Sequence, residues 1–298
     1  MADPGAPLDP RITEGVVHAN GVDVHYLEAG SGPLALLLHG FPDSAHTWRH
    51  LLPALADAGY HAVAPWLRGY APTSVPPDGR YQVGVLAQDA CALHDALGDG
   101  SPAALIGHDW GALAGYTAAG AQPERWSSFT ALAVPPLGSL LAGFTSYTQL
   151  RRSWYMFFFQ SPLADGAVAA DELAFIDRLW ADWSPGFDAA AELPAVKAAL
   201  RGPENLTAAL GYYRATLGDG YKDPALAELE GAGFLPVPVR TLYLHGTDDG
   251  CMGAELVTDL SDQLPVEGSR VELVTGTGHF LQLEDPATVN RLILDFIG

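Results

Sequence analysis

Cysteine is almost absent: there are two in 298 residues, Cys91 and Cys251. They lie far apart and flank no metal-ligand spacing, so no disulfide framework and no cysteine-based metal site is expected. Cys91 falls in an apolar helical pattern and reads as an inert core residue, and packing is the role expected of Cys251 as well. Basic residues are also few, 15 Lys and Arg against 35 Asp and Glu, for a net charge of −20. That excludes nucleic acid and anionic membrane surfaces as partners, because both demand clustered cations. The pair Arg151-Arg152 runs into Trp154, Tyr155 and three Phe and reads as the start of a helix instead. An acidic surface favours neutral substrates over anionic ones. No apolar run is long enough to span a bilayer. Residues 1–11 hold three Pro and two Asp with no basic region ahead of an apolar stretch, so no secretory leader and a cytoplasmic location are expected.

What is present is a globular composition, 48% hydrophobic and 17% charged. The length suits one large domain or a core carrying an inserted lid. Glu14 to Glu28 alternates around Asn20-Gly21, a hairpin signal. Leu34 to Leu38 is a continuous apolar run between Gly32-Pro33 and His39-Gly40, as in a strand buried on both faces. Ala62 to Pro65, Ala103 to Ile106 and Ser128 to Val134 repeat that character. Between these strands come helical spacings at Trp48, Leu51, Leu52 and Leu55, at Val85 to Leu97, and at Gly111 to Ala121.

Strand and helix in alternation mean a mostly parallel sheet flanked by helices, the α/β class. The alternation breaks at Pro135-Pro136 and resumes with strands at Val237 to Leu244 and Arg270 to Val274, then a helix near Pro286 to Ile297. The expected organisation is a core built from residues 1–136 and 234–298, with residues 137–233 as a helical lid over the carboxyl ends of the strands.

Gly107-His108-Asp109-Trp110-Gly111 lies between a strand and a helix of small residues. This is the small-x-nucleophile-x-small pattern of the sharp turn called the nucleophile elbow. Glycines flank it because the turn is tight, and the amides of the new helix face the same side and favour negative charge. Asp109 stands where esterases and lipases carry Ser. A carboxylate needs no base to activate it, and attack on an sp3 carbon in line leaves an ester on the enzyme. The substrate should therefore carry a carbon with a leaving group, such as an epoxide or an alkyl halide. The competing reading of Asp109 is a plain helix N-cap.

Hydrolysing such an ester requires an oxyanion hole, a base and an acid that orients the base. His39-Gly40-Phe41-Pro42 follows a strand and offers the Phe41 amide, with the Trp110 amide as the second donor. His279 follows the last strand and is expected to activate water. Asp248 and Asp249 follow the strand before it, and Asp249 is the better spaced to orient His279. The chain order nucleophile, acid, histidine agrees with this fold.

These motifs, together with Asp43, Arg68-Gly69-Tyr70 and Gly278-His279-Phe280, run over nearly the whole chain after Glu14 and resemble those of the α/β-hydrolase-fold epoxide hydrolases. The resemblance implies two lid tyrosines that hold and protonate the epoxide oxygen. The segment Tyr155 to Pro162 is similar to the motif that carries the first, and Leu210-Gly211-Tyr212-Tyr213-Arg214 to that of the second. They align as Tyr155 and Tyr213, with Tyr212 as the alternative. Trp48, Phe41, Trp110 and Phe280 are expected to line an apolar pocket. The substrate implied is a small apolar epoxide, turned over without metal or organic cofactor by a monomer or homodimer. Haloalkane dehalogenases share the Asp-Trp elbow but usually carry Asn or Glu at the position of Phe41. Fluoroacetate dehalogenases carry Arg where this chain has Trp110. A noncatalytic binding protein on the same fold is the alternative of a different class.

Overall fold

The computed structural model describes residues 6–257 and 259–298. Strands β1 (Thr13–Ala19) and β2 (Val22–Ala29) form the expected antiparallel hairpin. Asn20 and Gly21 take φ of 44° and 78°, the left-handed pair that a two-residue hairpin turn requires. The expectation of no leader in residues 1–11 rests in part on residues 1–5, which lie outside the described residues.

The sheet continues through β3 (Leu34–Leu38), β4 (His61–Pro65), β5 (Ala103–His108), β6 (Trp126–Leu132), β7 (Thr241–Gly246) and β8 (Arg270–Val274). The order is β1-β2-β4-β3-β5-β6-β7-β8, parallel from β4 to β8. β3, β5 and β7 are buried along their whole length, which explains their unbroken apolar sequence. Because β4 lies on one side of β3 and β5 on the other, the order reverses at the carboxyl ends of β3 and β5. A doubly wound sheet opens a crevice at such a point.

Helices α1 (Leu51–Asp57), α2 (Val83–Leu97) and α3 (Trp110–Ala121) follow β3, β4 and β5. Between β6 and β7 come α4 (Leu137–Gly143), α5 (Tyr147–Arg152), α6 (Trp154–Phe158), α7 (Ala164–Trp183), α8 (Leu193–Leu200), α9 (Pro203–Leu217) and α10 (Ala227–Ala232), with no strand among the described residues. The short α11 (Leu281–Glu284) and the amphipathic α12 (Pro286–Ile297) close the chain. Among the described residues no helix is long and apolar enough to cross a membrane.

Two strand ends differ from expectation, each for a physical reason. β7 starts at Thr241 rather than Val237, because Pro236 and Pro238 have no N–H to give to a ladder. β6 ends at Leu132 because Ala133 turns to φ 66°. α7 is interrupted at Asp171, Glu172 and Leu173, all with positive φ, so it is two helical pieces rather than one. Cys91 is half-buried against the core rather than inside it, and burial lifts its thiol to about 11.

Candidate active site

β5 ends at His108 and α3 begins at Trp110, so Asp109 alone makes the turn, at φ 52° and ψ −115°. A non-glycine residue in that region is strained and is held there by its surroundings. The flanking glycines are needed for space. A Cβ on Gly107 would stand 2.3 Å from the Gly111 carbonyl oxygen, and one on Gly111 would stand 2.2 Å from that of Leu38. Asp109 makes no side-chain cap bond to α3, which removes the N-cap reading.

The carboxylate is buried, and Oδ1 accepts the Phe41 amide at 2.7 Å. Among the described residues, the second expected donor, the Trp110 amide, makes no bond to this carboxylate. Oδ2 lies 3.7 Å from His279 Nε2, a buried nitrogen with no hydrogen-bond partner among the described residues. On the other side of the ring, His279 Nδ1 donates to Asp249 Oδ2 at 2.9 Å. Asp249 Oδ1 accepts the amides of Cys251 and Met252 at 2.7 and 2.8 Å. Asp248 is exposed and accepts only the Thr247 hydroxyl, so Asp249 is the acid that reaches the histidine.

Electrostatics follow from this burial. Desolvation opposes charge on His279, but Asp249 and Asp109 outweigh it and hold the imidazole up at about 10. Burial also opposes charge on Asp109, yet the neighbouring His279 and the Phe41 amide keep its pKa below the ordinary value. The resting pair is thus carboxylate and imidazolium. His108 packs against His279 and bonds its carbonyl oxygen at 2.9 Å, and burial drives its own pKa down to about 3.

The tyrosines arrive from α6 and α9. Tyr155 and Tyr213 meet edge to face at 5.7 Å, and both are buried. The Tyr155 phenol is hydrogen bonded to Cys251 Sγ at 3.3 Å, whereas the Tyr213 phenol is buried and has no partner among the described residues. Burial raises both phenols well above 10, so each keeps its proton. Tyr212 is differently engaged: its hydroxyl donates to the Arg68 carbonyl at 2.8 Å and its ring stacks on Tyr81.

A cavity of about 140 Å³ reaches Asp109, Trp110 and Tyr213, with Leu113, Leu140, Met156 and Thr216 among its walls. It also touches Leu141, Leu217 and Phe234, which are 48%, 40% and 51% exposed and so mark its mouth. Of the four residues expected to line the pocket, only Trp110 does so. Phe41 turns its amide to Asp109 and its ring into an aromatic cluster with Phe159 and Tyr213. Phe280 lies flat on Trp180 at 3.6 Å, and Trp48 is fully buried in the core.

Several contributors carry no motif in the sequence. The Trp183 carbonyl accepts the amides of both Gly250 and His279 at 3.0 Å. Glu284 accepts the Gly278 amide at 2.8 Å and the Ser184 hydroxyl at 2.7 Å. Cys251 joins the Asp249 loop to Tyr155. Asp249, Cys251 and His279 also bring metal-ligand atoms within 4.8 Å of one another. Their hydrogen bonds already account for the trio, and burial keeps the thiol protonated.

A parallel sheet with a strained aspartate on the turn from β5 to α3, facing a buried His–Asp pair from the loops after β7 and β8, defines an α/β hydrolase with a carboxylate at its elbow. The chain belongs to the alpha/beta hydrolase fold family, whose model matches residues 33–286, and within it to the epoxide hydrolases. It is 31% identical to Epoxide hydrolase A of Mycobacterium tuberculosis, covering 98% of each chain. Among solved structures it is similar to Epoxide Hydrolase A from Mycobacterium thermoresistibile, with TM-score 0.78 and 29% identity over 96% of this chain and 98% of that one. An epoxide hydrolase from Bacillus megaterium, solved with an inhibitor, gives TM-score 0.80 and 28% identity over 95% and 99%.

Proposed function

We propose that this enzyme opens apolar epoxides to vicinal diols through an ester on Asp109. One observation carries the reading: a buried carboxylate with one oxygen held by the Phe41 amide and the other facing His279 at 3.7 Å shares a cavity with a phenol, Tyr213, that has no partner among the described residues. The segment 137–233 serves as the lid that brings both tyrosines over the elbow.

Asp109 Oδ2 attacks one oxirane carbon, the ring C–O bond breaks, and the departing oxygen takes a proton from Tyr155 or Tyr213. Oδ1, held by Phe41, becomes the ester carbonyl oxygen. The tyrosinate left behind recovers a proton from the His279 imidazolium, and the neutral His279, oriented by Asp249, then takes a proton from water as that water attacks the carbonyl carbon. Negative charge builds on Oδ1 at the Phe41 amide, where a positioned donor stabilises it. The tetrahedral intermediate expels the alkoxide, which takes the proton from His279 and leaves as the diol; the new Asp109 carboxylic acid returns its proton to His279, and Asp109 keeps one oxygen from water. These steps use side chains, the Phe41 amide and water, and the chemistry calls for no metal or organic cofactor. A halide product would need a second N–H donor beside the Trp110 indole, and the described lining residues bring none.

The test scores diol and free halide together over a panel of alkyl and aryl epoxides and haloalkanes. Diol without halide, lost in Asp109→Ala, is expected; halide without diol would overturn the reading. In His279→Gln the ester should form and persist as a mass adduct on the Asp109 peptide.

A further inference from the structure

The epoxide reading leaves two polar groups of the cavity without a role, the Trp110 indole beside the nucleophile and the hydroxyl of Thr216. Thr216 lies three residues after Tyr213 on α9, so the two side chains stand on the same face about one turn apart. Both line the cavity that holds Asp109. A threonine late in a helix commonly returns its hydroxyl to the carbonyl four residues back. Thr216 does not: its Oγ1 is buried and has no partner among the described residues. Its backbone oxygen is engaged separately, accepting Lys222 Nζ at 3.3 Å, so only the hydroxyl is idle.

Asp109, Trp110 and Tyr213 aside, the surrounding walls supply no partner. Leu113, Leu140, Phe144 and Met156 offer no strong donor or acceptor. A buried hydroxyl left unpaired is unfavourable, and a ligand that pairs it recovers the loss. Asp109 and the lid tyrosines already have roles in the ring-opening steps; Thr216 has none. It stands beside Leu217, which marks the mouth, so a substrate held at Asp109 would pass it on the way out.

We propose that Thr216 is a second recognition point for substrate, resting on the epoxide reading, and that it donates a hydrogen bond to an oxygen in the substrate's tail. The substrate class is then an epoxide whose apolar tail carries an ether or ester oxygen a few atoms from the oxirane. The oxirane sits at Asp109 and the tyrosines, the tail oxygen at Thr216, and the remaining carbon chain against Leu141, Leu217 and Phe234.

The test moves one oxygen along the tail. A medium-chain terminal epoxide is compared with isosteric analogues in which a single methylene is replaced by an ether oxygen at successive positions. In wild type, kcat/KM should peak at one position, about tenfold above the all-carbon compound, the size of one recovered hydrogen bond. Thr216→Val should bring that ratio to about one, and Thr216→Ser, which keeps the hydroxyl, should preserve the peak. A flat profile in wild type, or a peak that survives in Thr216→Val, would overturn the inference. Binding of the matching diols to Asp109→Asn, measured by calorimetry, reads the subsite without turnover. The same peak there with no turnover in wild type would sink the epoxide reading and keep Thr216; a flat binding series with normal turnover would do the reverse.

Discussion

In the resting enzyme, His279 cannot serve as a base, because two carboxylates hold its proton in place. One of them, Asp109, would lose its charge in the proposed alkylation, so the ester itself should create the base that destroys it. Asp109→Asn mimics that loss of charge with little change of shape. Two unit charges 3.7 Å apart, at an effective dielectric of about 20, attract by about 4 kcal/mol. That corresponds to about 3 pK units. His279, at about 10 in the wild type, should therefore titrate near 7 in Asp109→Asn, about where a general base works best. The assay is NMR of nitrogen-labelled imidazoles, with His279 assigned by substitution and followed across the neutral and alkaline range. Wild-type His279 should stay an imidazolium through neutral pH, and the variant should titrate in that range. If the two pKa values agree within about half a unit, Asp109 does not govern the proton and the argument fails.

Further outcomes follow from packing and burial. Gly40→Ala would put a Cβ 2.2 Å from Asp109 Oδ1, so single-turnover ester formation should slow by about 100-fold, the cost of a misplaced reacting group. Unchanged alkylation would show that the carboxylate tolerates displacement. Tyr213→Phe should suppress ester formation, whereas Tyr212→Phe should spare it and lose about 1–3 kcal/mol of stability by orphaning the Arg68 carbonyl; denaturant melts and burst kinetics separate the two. Stability should fall on both sides of neutrality. Burial holds the folded Asp43 carboxyl up at about 8, and the carboxylates hold His279 at about 10, so both keep protons that the unfolded chain releases, and stability drops as pH rises. His39 and His108, pushed down by burial to about 4 and about 3, reverse the sign below their ordinary value of 6.5. Asp43→Asn should therefore raise Tm relative to wild type at alkaline pH and much less in acid; an offset independent of pH would contradict the assignment.

The elbow was legible because its requirements are local. A strand, a tight turn and a helix within a few residues impose glycines at Gly107 and Gly111, and those can be read from one segment. Asp249 and His279 were legible through their places after strands, although 140 and 170 residues separate them from Asp109. The cavity was not. Trp48 and Phe280 have the apolar character of a pocket wall, yet they are spent in core packing, while Leu113, Leu140 and Met156 come together from α3, α4 and α6. A void belongs to how elements meet, and no periodicity within one element encodes it. The Trp183 carbonyl and Cys251 were invisible for a related reason: one acts through its backbone, the other through a contact made 96 residues away in sequence.

The end of α7 is stitched to three loops at once. Its Trp183 carbonyl holds Gly250 and His279, and its Trp180 indole donates to the Pro42 carbonyl. Recombination between related genes therefore meets unequal terrain here. A crossover that imports a foreign α7 still carries a carbonyl at position 183 but must place it equally well and supply the Trp180 indole, so a chimera that shifts this helix should misplace the acid and the histidine even where its parts fold. α4 and α9 share no backbone bond with those loops among the described residues, yet they supply cavity walls. Outside Tyr212 and Tyr213, variation can accumulate in them without disturbing the chemistry, which makes these two helices the natural place for such an enzyme to change its diet.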